Sequence, residues 1–310
     1  MKLVLSIDPY TTPGGGSVSF ARVLAEWLPR YGIEVGFDVG GRCDAVLVFA
    51  HHANPHVLAR QKRRGIRILH RIDERTDPAE TGYRSEKHAA IGRLNRLADL
   101  TIFQSEFVRE NMGPLCSARC STVIHNGVDT VLFSPRGPRR VLEGAPRVLH
   151  VSWSVGASKR LDRIGELLAV LSPEARVYLA GRHAEARWSI PADPRVQVFG
   201  IQRREEVAAL MRSADFLFFP SEEEPCPNTP IEAMASGLPV LYHPSGGTPE
   251  LVGDAGIPLS ADLRADLTRT LGGSSTLRVR ALERGLELSA ERAAARYAAA
   301  ARQVLSTEVA

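Results

Sequence analysis

Short apolar runs alternate with stretches of helical period along most of the chain. The runs are rich in Val, Ile, Leu and Phe and do not alternate strictly with polar residues, which is typical of strands buried on both faces of a parallel sheet. In the first half they are Leu3–Ile7, Val35–Val39, Ala45–Ala50, Ile66–His70, Leu100–Gln104 and Thr122–His125. In the second half they are Val148–Ser152, Arg176–Ala180, Val196–Phe199, Phe216–Pro220 and Val240–Tyr242. The pattern predicts an α/β fold with parallel sheets.

A stretch rich in Pro, Gly and Arg, from Ser134 to Pro146, interrupts this alternation. It divides the chain into two predicted Rossmann-like domains, residues 1–134 and 147–288, with a linker at 135–146. The segment Leu277–Leu305 has helical composition, and residues 289–310 are predicted to form a C-terminal helix. Its i, i+4 pairs such as Arg292–Arg296 are like-charged, so tertiary packing must stabilise the helix.

Composition narrows the function classes. A net charge of +4 on 310 residues is mild, and no nucleic-acid-binding module accompanies it, so we expect no nucleic-acid partner. No apolar run reaches the roughly 18 residues of a membrane helix and the chain opens directly on a strand-like run, which predicts a cytoplasmic protein. One basic cluster, from Arg60 to Arg67, closes a predicted helix, where cations favour the helix dipole; peripheral contact with the inner face of a membrane is the alternative.

The four cysteines are Cys43, Cys116, Cys120 and Cys226. They include one C-x3-C pair but no second pair or histidine at zinc-finger spacing. We therefore expect reduced thiols and no metal site.

Because parallel sheets bind ligands at the carboxyl ends of their strands, the loops that follow strands are the candidate sites. The first such loop contains Gly14, Gly15 and Gly16, whose backbone can approach a ligand closely, and Ser17 is predicted to cap the next helix. The loop lacks both the G-x-G-x-x-G and the P-loop patterns, which disfavours a dinucleotide or Walker site. A plain tight turn is the alternative.

A second loop, from Trp153 to Arg160, ends in two adjacent cations, Lys159 and Arg160, before a helix. Cations at a helix N-terminus oppose the dipole, and that cost is explained if a phosphate binds there. Two exposed surface cations are the simpler alternative.

A third loop, from Ser221 to Glu232, has three consecutive acids that end at Glu224. The repulsion among these carboxylates is relieved if a hydroxylated or cationic ligand binds Glu224. Thr229 as N-cap, Pro230 at the first helical position and Glu232 three residues after the cap predict a capping box, which would by itself explain Glu232. The following strand leads to a second glycine-rich turn, Ser245–Glu250, predicted to face the same ligand.

These motifs resemble the retaining family-four glycosyltransferases of the GT-B fold. The resemblance rests on Glu224 and Glu232 at a spacing of eight, on Gly237-Leu238-Pro239-Val240, and on the Gly-Gly-x-x-Glu turn that ends at Glu250. The segment Val123–Asp129 is similar to the crossover between the domains of that family. The family's fold implies two Rossmann-like domains that face a cleft, with the C-terminal helix packed back on the first domain near Tyr297.

Carried over by position, the resemblance implies that Glu232 holds the donor ribose, Glu224 contacts the donor sugar and Lys159 neutralises the diphosphate. Many relatives carry Gly-Phe-Gly after the first glutamate and an Arg near position 153, whereas this chain has Pro225-Cys226-Pro227 and Trp153-Ser154. Arg160 or Arg182 would then supply the second donor cation. The implied donor site comprises Gly14, Gly15, Lys159, Arg160, Arg182, Glu224, Cys226, Pro227, Asn228, Thr229 and Glu232.

The acceptor is assigned to the first domain. The segment from His70 to Arg75 ends a predicted strand, and Arg71 and Asp73 are candidate acceptor or catalytic contacts, with a local Arg–Asp ion pair as the alternative. Gly16 and His52 complete the acceptor candidates, and Glu224, Lys159 and Asp73 are the candidate catalytic residues. Among His51, His52, His70 and His125, the sequence favours only a hinge role for His125.

The resemblance implies transfer of a hexosyl or N-acetylhexosaminyl group from a nucleotide sugar to a hydroxyl acceptor with retention of configuration. We expect a UDP-sugar donor and a sugar, a lipid-linked glycan or a small molecule as acceptor. The chain contains no Asp-x-Asp, so we predict transfer without a metal or other cofactor. A sugar-nucleotide epimerase or phosphorylase on the same scaffold, and an inactive nucleotide-sugar-binding subunit, are the alternatives.

Overall fold

The computed structural model describes residues 1–12, 15–75, 83–117, 120–183 and 190–306, with the side chains of 83–85 left out. The chain divides into two compact units. Unit 1 is Met1–Gly127 with Ala290–Ala310, and unit 2 is Val128–Ser289.

Twelve strands are formed by the described residues: β1 Lys2–Leu5, β2 Glu34–Gly36, β3 Ala45–Phe49, β4 Arg67–Ile72, β5 Leu100–Phe103, β6 Ser121–Val123, β7 Arg147–Ser152, β8 Arg176–Gly181, β9 Val196–Gly200, β10 Phe216–Phe219, β11 Val240–Tyr242 and β12 Gly256–Pro258. The helices in the same residues are α1 Gly16–Trp27, α2 Pro55–Arg63, α3 Tyr83–Asn95, α4 Glu106–Met112, α5 Arg163–Val170, α6 Arg204–Ser213, α7 Asn228–Ala235, α8 Thr248–Val252, α9 Leu263–Gly272, α10 Ser274–Glu287 and α11 Ala290–Ser306. None of the described helices is long and apolar enough to cross a membrane.

Unit 1 is built on a six-stranded parallel sheet in the order β2-β1-β3-β4-β5-β6. Alternate strand residues point to opposite faces. Leu3, Leu47 and Leu69 pack with α1 and α11 on one face, and Val4 and Val46 pack with α2 and α3 on the other. The four central strands are buried on both faces, which explains why their apolar runs are continuous.

The last helix packs on unit 1, as expected from the resemblance. Tyr297 of α11 is 1% exposed and its ring lies 5.6 Å from the ring of Phe20 on α1. The face of α11 that lies in this core consists mostly of alanines. Packing of this face stabilises a helix whose like-charged i, i+4 pairs would not stabilise it alone.

Unit 2 repeats the architecture with the order β12-β11-β10-β7-β8-β9, again parallel. One face of the sheet packs against α6, α7 and α10, and the other against α5 and α9. The sequence pattern did not predict β12. Its three residues include a glycine and a proline, which have low strand propensity, and it forms because the backbone of Gly256 fits against Val240 O, where a Cβ would lie at 2.4 Å.

The chain passes from unit 1 to unit 2 between Gly127 and Val128 and returns to unit 1 between Ser289 and Ala290. The sequence pattern placed the end of the first domain at residue 134. Val128 N donates to Leu288 O at 3.0 Å, and Phe133 lies in the core of unit 2. The stretch proposed as a linker is held on unit 2 by the buried Arg212, which donates to Pro138 O at 2.7 Å and to carbonyls just before it.

Candidate functional site

The order of strands in unit 2 reverses between β7 and β10. The chain runs from β7 to β8 and β9 on one side and then returns to place β10 on the other side of β7. In open parallel sheets this reversal leaves a crevice beyond the carboxyl ends of the two strands, where ligands bind. The loop after β7 carries Lys159 and the loop after β10 carries Glu224, so strand order brings together two residues that are 65 positions apart.

Lys159 and Glu224 form an ion pair in which Nζ donates to Oε1. Their side chains are only 18% and 16% exposed, so the alternative of an exposed surface cation is wrong for Lys159. Lys159 ends a short 3-10 turn that begins at Ala157, and α5 starts only at Arg163. The cation therefore lies beside a carboxylate rather than in the first turn of a helix, where the sequence placed it.

Arg160 is held by two carboxylates of its own. It pairs with Glu222 and, at 3.0 Å, with Asp162, and its backbone is left-handed at φ 46°. Glu222 N also donates to Ser158 O at 2.8 Å. These bonds tie the loop after β7 to the loop after β10.

Arg182 follows β8, the neighbour of β7 on its other side. Its guanidinium lies 5.9 Å from the centre of the half-exposed Trp153 ring, and its backbone N donates to Ser152 O at 3.2 Å. Arg182 was proposed to replace the arginine that many relatives carry near position 153. It lies beside Trp153, the residue at that position in this chain.

The second glycine-rich turn packs directly on the Glu224 backbone. Gly246 has φ 66°, and a Cβ there would lie 2.6 Å from Glu224 O. Gly247 N donates to the same oxygen at 2.8 Å, and Glu223 N donates to Ser245 Oγ at 2.9 Å. Only glycine fits at position 246, because a side chain would meet both backbone strain and the carbonyl that positions Glu224.

The predicted capping box at Glu232 is wrong. Helix α7 begins at Asn228 with Pro227 as its N-cap, and no side chain caps it. Thr229 is therefore the second helical residue, and Glu232 lies beyond the first turn. The amides of Asn228 and Thr229 belong to the helix N-terminus, which favours an anion. Cys226, just before them, is buried.

Without the capping role, Glu232 has no structural explanation in the part of the chain that is described. Its carboxylate forms no hydrogen bond there, and burial raises its pKa to about 7, against a small opposing effect of Arg204. A half-buried carboxylate without a partner is costly to the unbound protein. A ligand hydroxyl that donates to this carboxylate would offset that free energy. The structure therefore supports a ligand-binding role for Glu232 more strongly than the sequence did.

We expect Glu232→Gln to stabilise the unbound protein at neutral and alkaline pH. The folded-state pKa is above the ordinary value, so ionisation destabilises the fold progressively as pH rises through about 4.5 to 7. The gain should be about 2–3 kcal/mol near pH 8 and absent near pH 4. Thermal unfolding at the two pH values measures it, with the exposed Glu283→Gln as control. An unchanged or lower midpoint near pH 8 would refute the assignment.

The strand order in unit 1 reverses between β1 and β3. Gly15 and Gly16 follow β1, and His51 and His52 follow β3; Gly14 lies outside the described residues. Gly15 is the N-cap of α1 at φ 143°, and a Cβ at Gly15 or Gly16 would meet nothing within 4 Å. The space for close approach of a ligand is present at both glycines.

Ser17 does not cap α1, contrary to the prediction, because it lies within the first turn. Its hydroxyl instead donates to Asp73 Oδ2. This bond joins the start of α1 to the end of β4.

Arg71 is at the centre of a buried network at the carboxyl ends of the strands. It is fully buried and donates to Asp73, and to Gln104 Oε1 and Asn126 Oδ1 at 2.7 Å each. Its guanidinium also lies 4.8 Å from the ring centre of Phe20. The Arg–Asp ion pair offered as the alternative is therefore formed, and Arg71 lies too deep to contact an acceptor.

The three histidines that the sequence could not rank, His51, His52 and His70, fall into different environments. The rings of His51 and His52 are 4.2 Å apart, and burial lowers the pKa of both, to about 4 for His51. His70 lies inside β4, bonds Ala50 O at 2.7 Å through Nε2, and has its pKa lowered to about 4 by burial. His51 and His52 are thus neutral near pH 7 at the reversal point, and His70 is structural.

Sequence reasoning missed Gln104, Asn126 and Ser17 as partners in the Arg71–Asp73 network. The signal that could have found the first two is the position of an amide side chain directly after an apolar run. No group of three or more His, Cys, Asp or Glu within the described ranges is arranged to hold a metal ion. All four cysteines are free thiols. Metal independence remains a prediction.

The loops that form this site are also the part of the chain that matches known proteins. A family model described as Glycosyl transferases group 1 matches residues 145–271, which include the loops after β7 and β10. That stretch of unit 2 is similar to the group 1 glycosyl transferases. The positions that carried the resemblance to family-four enzymes, from Glu224 to Glu250, lie within the matched stretch, as does Lys159.

Curated glycosyltransferases match about half of the chain. The sulfoquinovosyl transferase of Arabidopsis thaliana is 29% identical over 171 residues, which are 51% of this chain and 33% of that protein. The D-inositol 3-phosphate glycosyltransferase of Mycolicibacterium smegmatis is 31% identical over 174 residues, 51% of this chain and 40% of that protein. The matched stretch thus spans well under half the length of either relative.

Solved structures match the whole chain. The sucrose-phosphate synthase of Thermosynechococcus elongatus has a TM-score of 0.82 at 18% identity, covering 99% of this chain and 100% of that one. The Anabaena protein HepE in complex with UDP and glucose has a TM-score of 0.73 at 16% identity, covering 99% of each chain. At such identities the likeness shows the fold alone, which is GT-B.

Proposed function

We propose that this protein transfers a glycosyl group from a nucleotide sugar, with a UDP-sugar as the favoured donor, to a hydroxyl acceptor. The observation that carries the proposal is the Lys159–Glu224 ion pair at the strand reversal of unit 2, beside the N-terminus of α7. The similarity of residues 145–271 to the group 1 glycosyl transferases and the UDP complex of a structural neighbour support it.

The pair has the two charges that the donor needs. As the glycosidic bond breaks, negative charge builds on the departing diphosphate and positive charge on the sugar ring. Lys159 would stabilise the diphosphate, with the amides of Asn228 and Thr229 as further donors, and Glu224 would accept hydrogen bonds from sugar hydroxyls. Because the two side chains satisfy each other before the donor arrives, neither charge is buried without a partner.

Other residues near the carboxyl ends of β7 and β10 would make the remaining contacts with the donor. Glu232 would accept hydrogen bonds from the ribose hydroxyls, and Arg182 would supply the second cation. Arg160 would hold the loop of Lys159 in position through its ion pair with Glu222. Cationic side chains and helix amides can serve the diphosphate without a metal ion. Retention of configuration is proposed from the resemblance to family-four enzymes.

The test has three stages. Thermal-shift titration with UDP-, GDP- and ADP-sugars should show the largest stabilisation with a UDP-sugar. Release of the nucleotide should then proceed in the presence of EDTA, and NMR of the product should show an unchanged anomeric configuration. Conversion of the donor to its epimer without an acceptor would favour the epimerase alternative. Binding without nucleotide release under any condition would favour the inactive binding subunit.

A further inference from the structure

His243 is the first residue after β11, and its imidazole contacts two neighbouring loops. Its backbone N donates to Phe219 O at 2.9 Å, so the pairing of β10 with β11 continues one residue beyond the end of β11. Nδ1 lies 2.9 Å from Ser245 Oγ, and Nε2 lies 3.5 Å from Glu222 Oε1. The ring therefore bridges the second glycine-rich turn and the loop that carries Glu224.

The hydrogen bonds around the ring select one tautomer. Ser245 Oγ accepts the amide proton of Glu223 at 2.9 Å and can donate its own proton to Nδ1 of His243. The neutral ring then carries its proton on Nε2, which faces the Glu222 carboxylate. The other tautomer would set a nitrogen lone pair against that carboxylate. In the selected tautomer each contact joins a donor to an acceptor.

The charge state of His243 agrees with this arrangement. Burial lowers the pKa of His243. The carboxylates of Glu222 and Glu223 raise this pKa, whereas the guanidinium groups of Arg163 and Arg160 lower it. The net direction is below the ordinary value, so the ring is neutral near pH 7. A neutral ring accepts at Nδ1 and donates at Nε2 at the same time, which an imidazolium cannot do.

The loops after β7 and β10 each contain a residue in a strained backbone conformation. Arg160 has φ 46° and Glu223 has φ 55°, both in the left-handed region that disfavours side chains. Such residues persist where surrounding contacts hold them. Glu222 pairs with the Arg160 side chain, and Ser245 accepts from the Glu223 amide. His243 contacts both of these partners.

The strained residues adjoin the ion pair of the donor site. Arg160 directly follows Lys159, and Glu223 directly precedes Glu224. In the unbound protein Lys159 and Glu224 hold each other through their ion pair. In the proposed reaction this pair opens, because the lysine turns to the diphosphate and the glutamate to the sugar. The positions of the two side chains then depend on the adjoining backbone and on the bonds that fix it.

We propose that His243 is a positioning residue of the donor site, which holds Lys159 in place through Glu222 and Glu224 in place through Ser245. This rests on the proposed function, in which the two charged residues act on the donor. In this role His243 acts through other residues and contacts no reacting atom. A misplacement of about 1 Å can lower a rate by about 100-fold, so loss of one of the two links should lower kcat by about tenfold.

Two substitutions remove one link each. The amide of Asn reaches the place of Nδ1 and the amide of Gln the place of Nε2. His243→Asn therefore keeps the contact with Ser245, and His243→Gln keeps the contact with Glu222. The assay is release of nucleotide from the nucleotide sugar that stabilises wild type most, and each variant should lose about tenfold in kcat. A wild-type protein that releases no nucleotide counts against the proposed function and not specifically against the role of His243.

Double-mutant cycles separate positioning from general structural support. His243→Asn breaks the link toward Lys159, so in a Lys159→Gln background it should change kcat by less than about twofold. His243→Gln should lose its effect in the same way in a Glu224→Gln background. Equal effects with and without the charged residue would overturn the proposal, because independent sites are additive. Wild-type kcat in both single variants would also overturn it.

Arg147→Gln is the matched structural control. Arg147 pairs with Asp215 at 2.8 Å at the amino edge of the same sheet, the edge opposite the site. The variant should lower the midpoint of thermal unfolding and change kcat by less than about twofold. A loss of kcat in this control as large as that of His243→Asn would show that any loss of stability in unit 2 reduces turnover, which contradicts a positioning role.

The tautomer of His243 gives a readout that does not depend on turnover. Proton–nitrogen correlation spectra of the imidazoles, with the His243 signals identified by their absence from His243→Asn, should show the Nε2–H form near pH 7. Ser245→Ala removes the donor to Nδ1 and should increase the share of the Nδ1–H form. A predominant Nδ1–H form in wild type would overturn the assigned bonds and the proposal that depends on them.

Discussion

Lys159→Gln should lower kcat/KM for glycosyl transfer by about 100- to 1000-fold, mostly through kcat. The side chain of Lys159 is largely buried at the strand reversal, and the only charge it contacts directly in the structure as described is Glu224. Charge on the diphosphate increases as the bond to the sugar breaks, so a cation at this position stabilises the transition state more than the bound donor.

Two variants separate this role from simple support of Glu224. Glu224→Gln removes the partner but keeps the cation, and it should lose activity through contacts with the sugar rather than with the leaving group. An activated donor with a better leaving group should therefore partly restore Lys159→Gln but not Glu224→Gln. Steady-state kinetics with both donors measures the difference.

The matched control for Lys159→Gln is Arg264→Gln on α9, an exposed cation of the same unit. It should change kcat/KM by less than about twofold, because the effect of an isolated surface charge is screened. A Lys159→Gln enzyme that keeps its kcat and loses only donor affinity would show that the cation binds the donor without stabilising the transition state.

Arg71→Met should have the largest effect on stability, with unit 1 losing about 3–5 kcal/mol of unfolding free energy. The methionine keeps most of the packing against Phe20 but leaves the Asp73 carboxylate, 4% exposed, without its cation. It also leaves Gln104 and Asn126 without the donor that each contacts at 2.7 Å. Removal of one member of a buried pair costs more than removal of both.

Calorimetry is the suitable measurement, because two units need not unfold in one transition. Arg71→Met should lower the midpoint of one transition, and Arg71→Met combined with Asp73→Asn should recover part of the loss. Arg60→Met, at an exposed arginine of the same unit, should stay within about 0.5 kcal/mol of wild type. If the double variant is less stable than Arg71→Met, the ion pair is not the source of the loss.

The strands show how far local pattern reaches. Every strand in the described residues except β12 overlaps a predicted apolar run. The central strands have a continuous signature because they are buried on both faces, whereas the edge strands β2, β6 and β9 are partly exposed and were found from their β-branched and aromatic residues. β12 left no signature, since it is short, contains Gly256 and Pro258, and depends on pairing with β11. The α/β class, the two-sheet organisation and the return of the last helix could all be anticipated, the last from the resemblance.

The helix starts show where local pattern fails. Ser17 and Thr229 both have the side chains of N-caps and stand where a cap was predicted, yet Gly15 and Pro227 occupy those positions. Each helix begins two residues earlier than the motif indicates, because the preceding loop sets the backbone direction. The hydroxyl of Ser17 makes a tertiary bond instead of a cap. Ser17 bonds Asp73, which lies 56 residues away.

The sequence by itself determined which residues could do chemistry in the Ser221–Glu250 region and in the loop of Lys159, since charge, glycine spacing and strand-end position are local properties. Tertiary structure decided which of them meet. The reversal of strand order between β7 and β10 pairs Lys159 with Glu224, and the fit of Gly246 against Glu224 O fixes that pair in place. The tertiary structure also showed that Glu232 has no capping role and that Arg71 is buried. Burial and pairing depend on contacts between segments far apart in the chain, which no local pattern encodes.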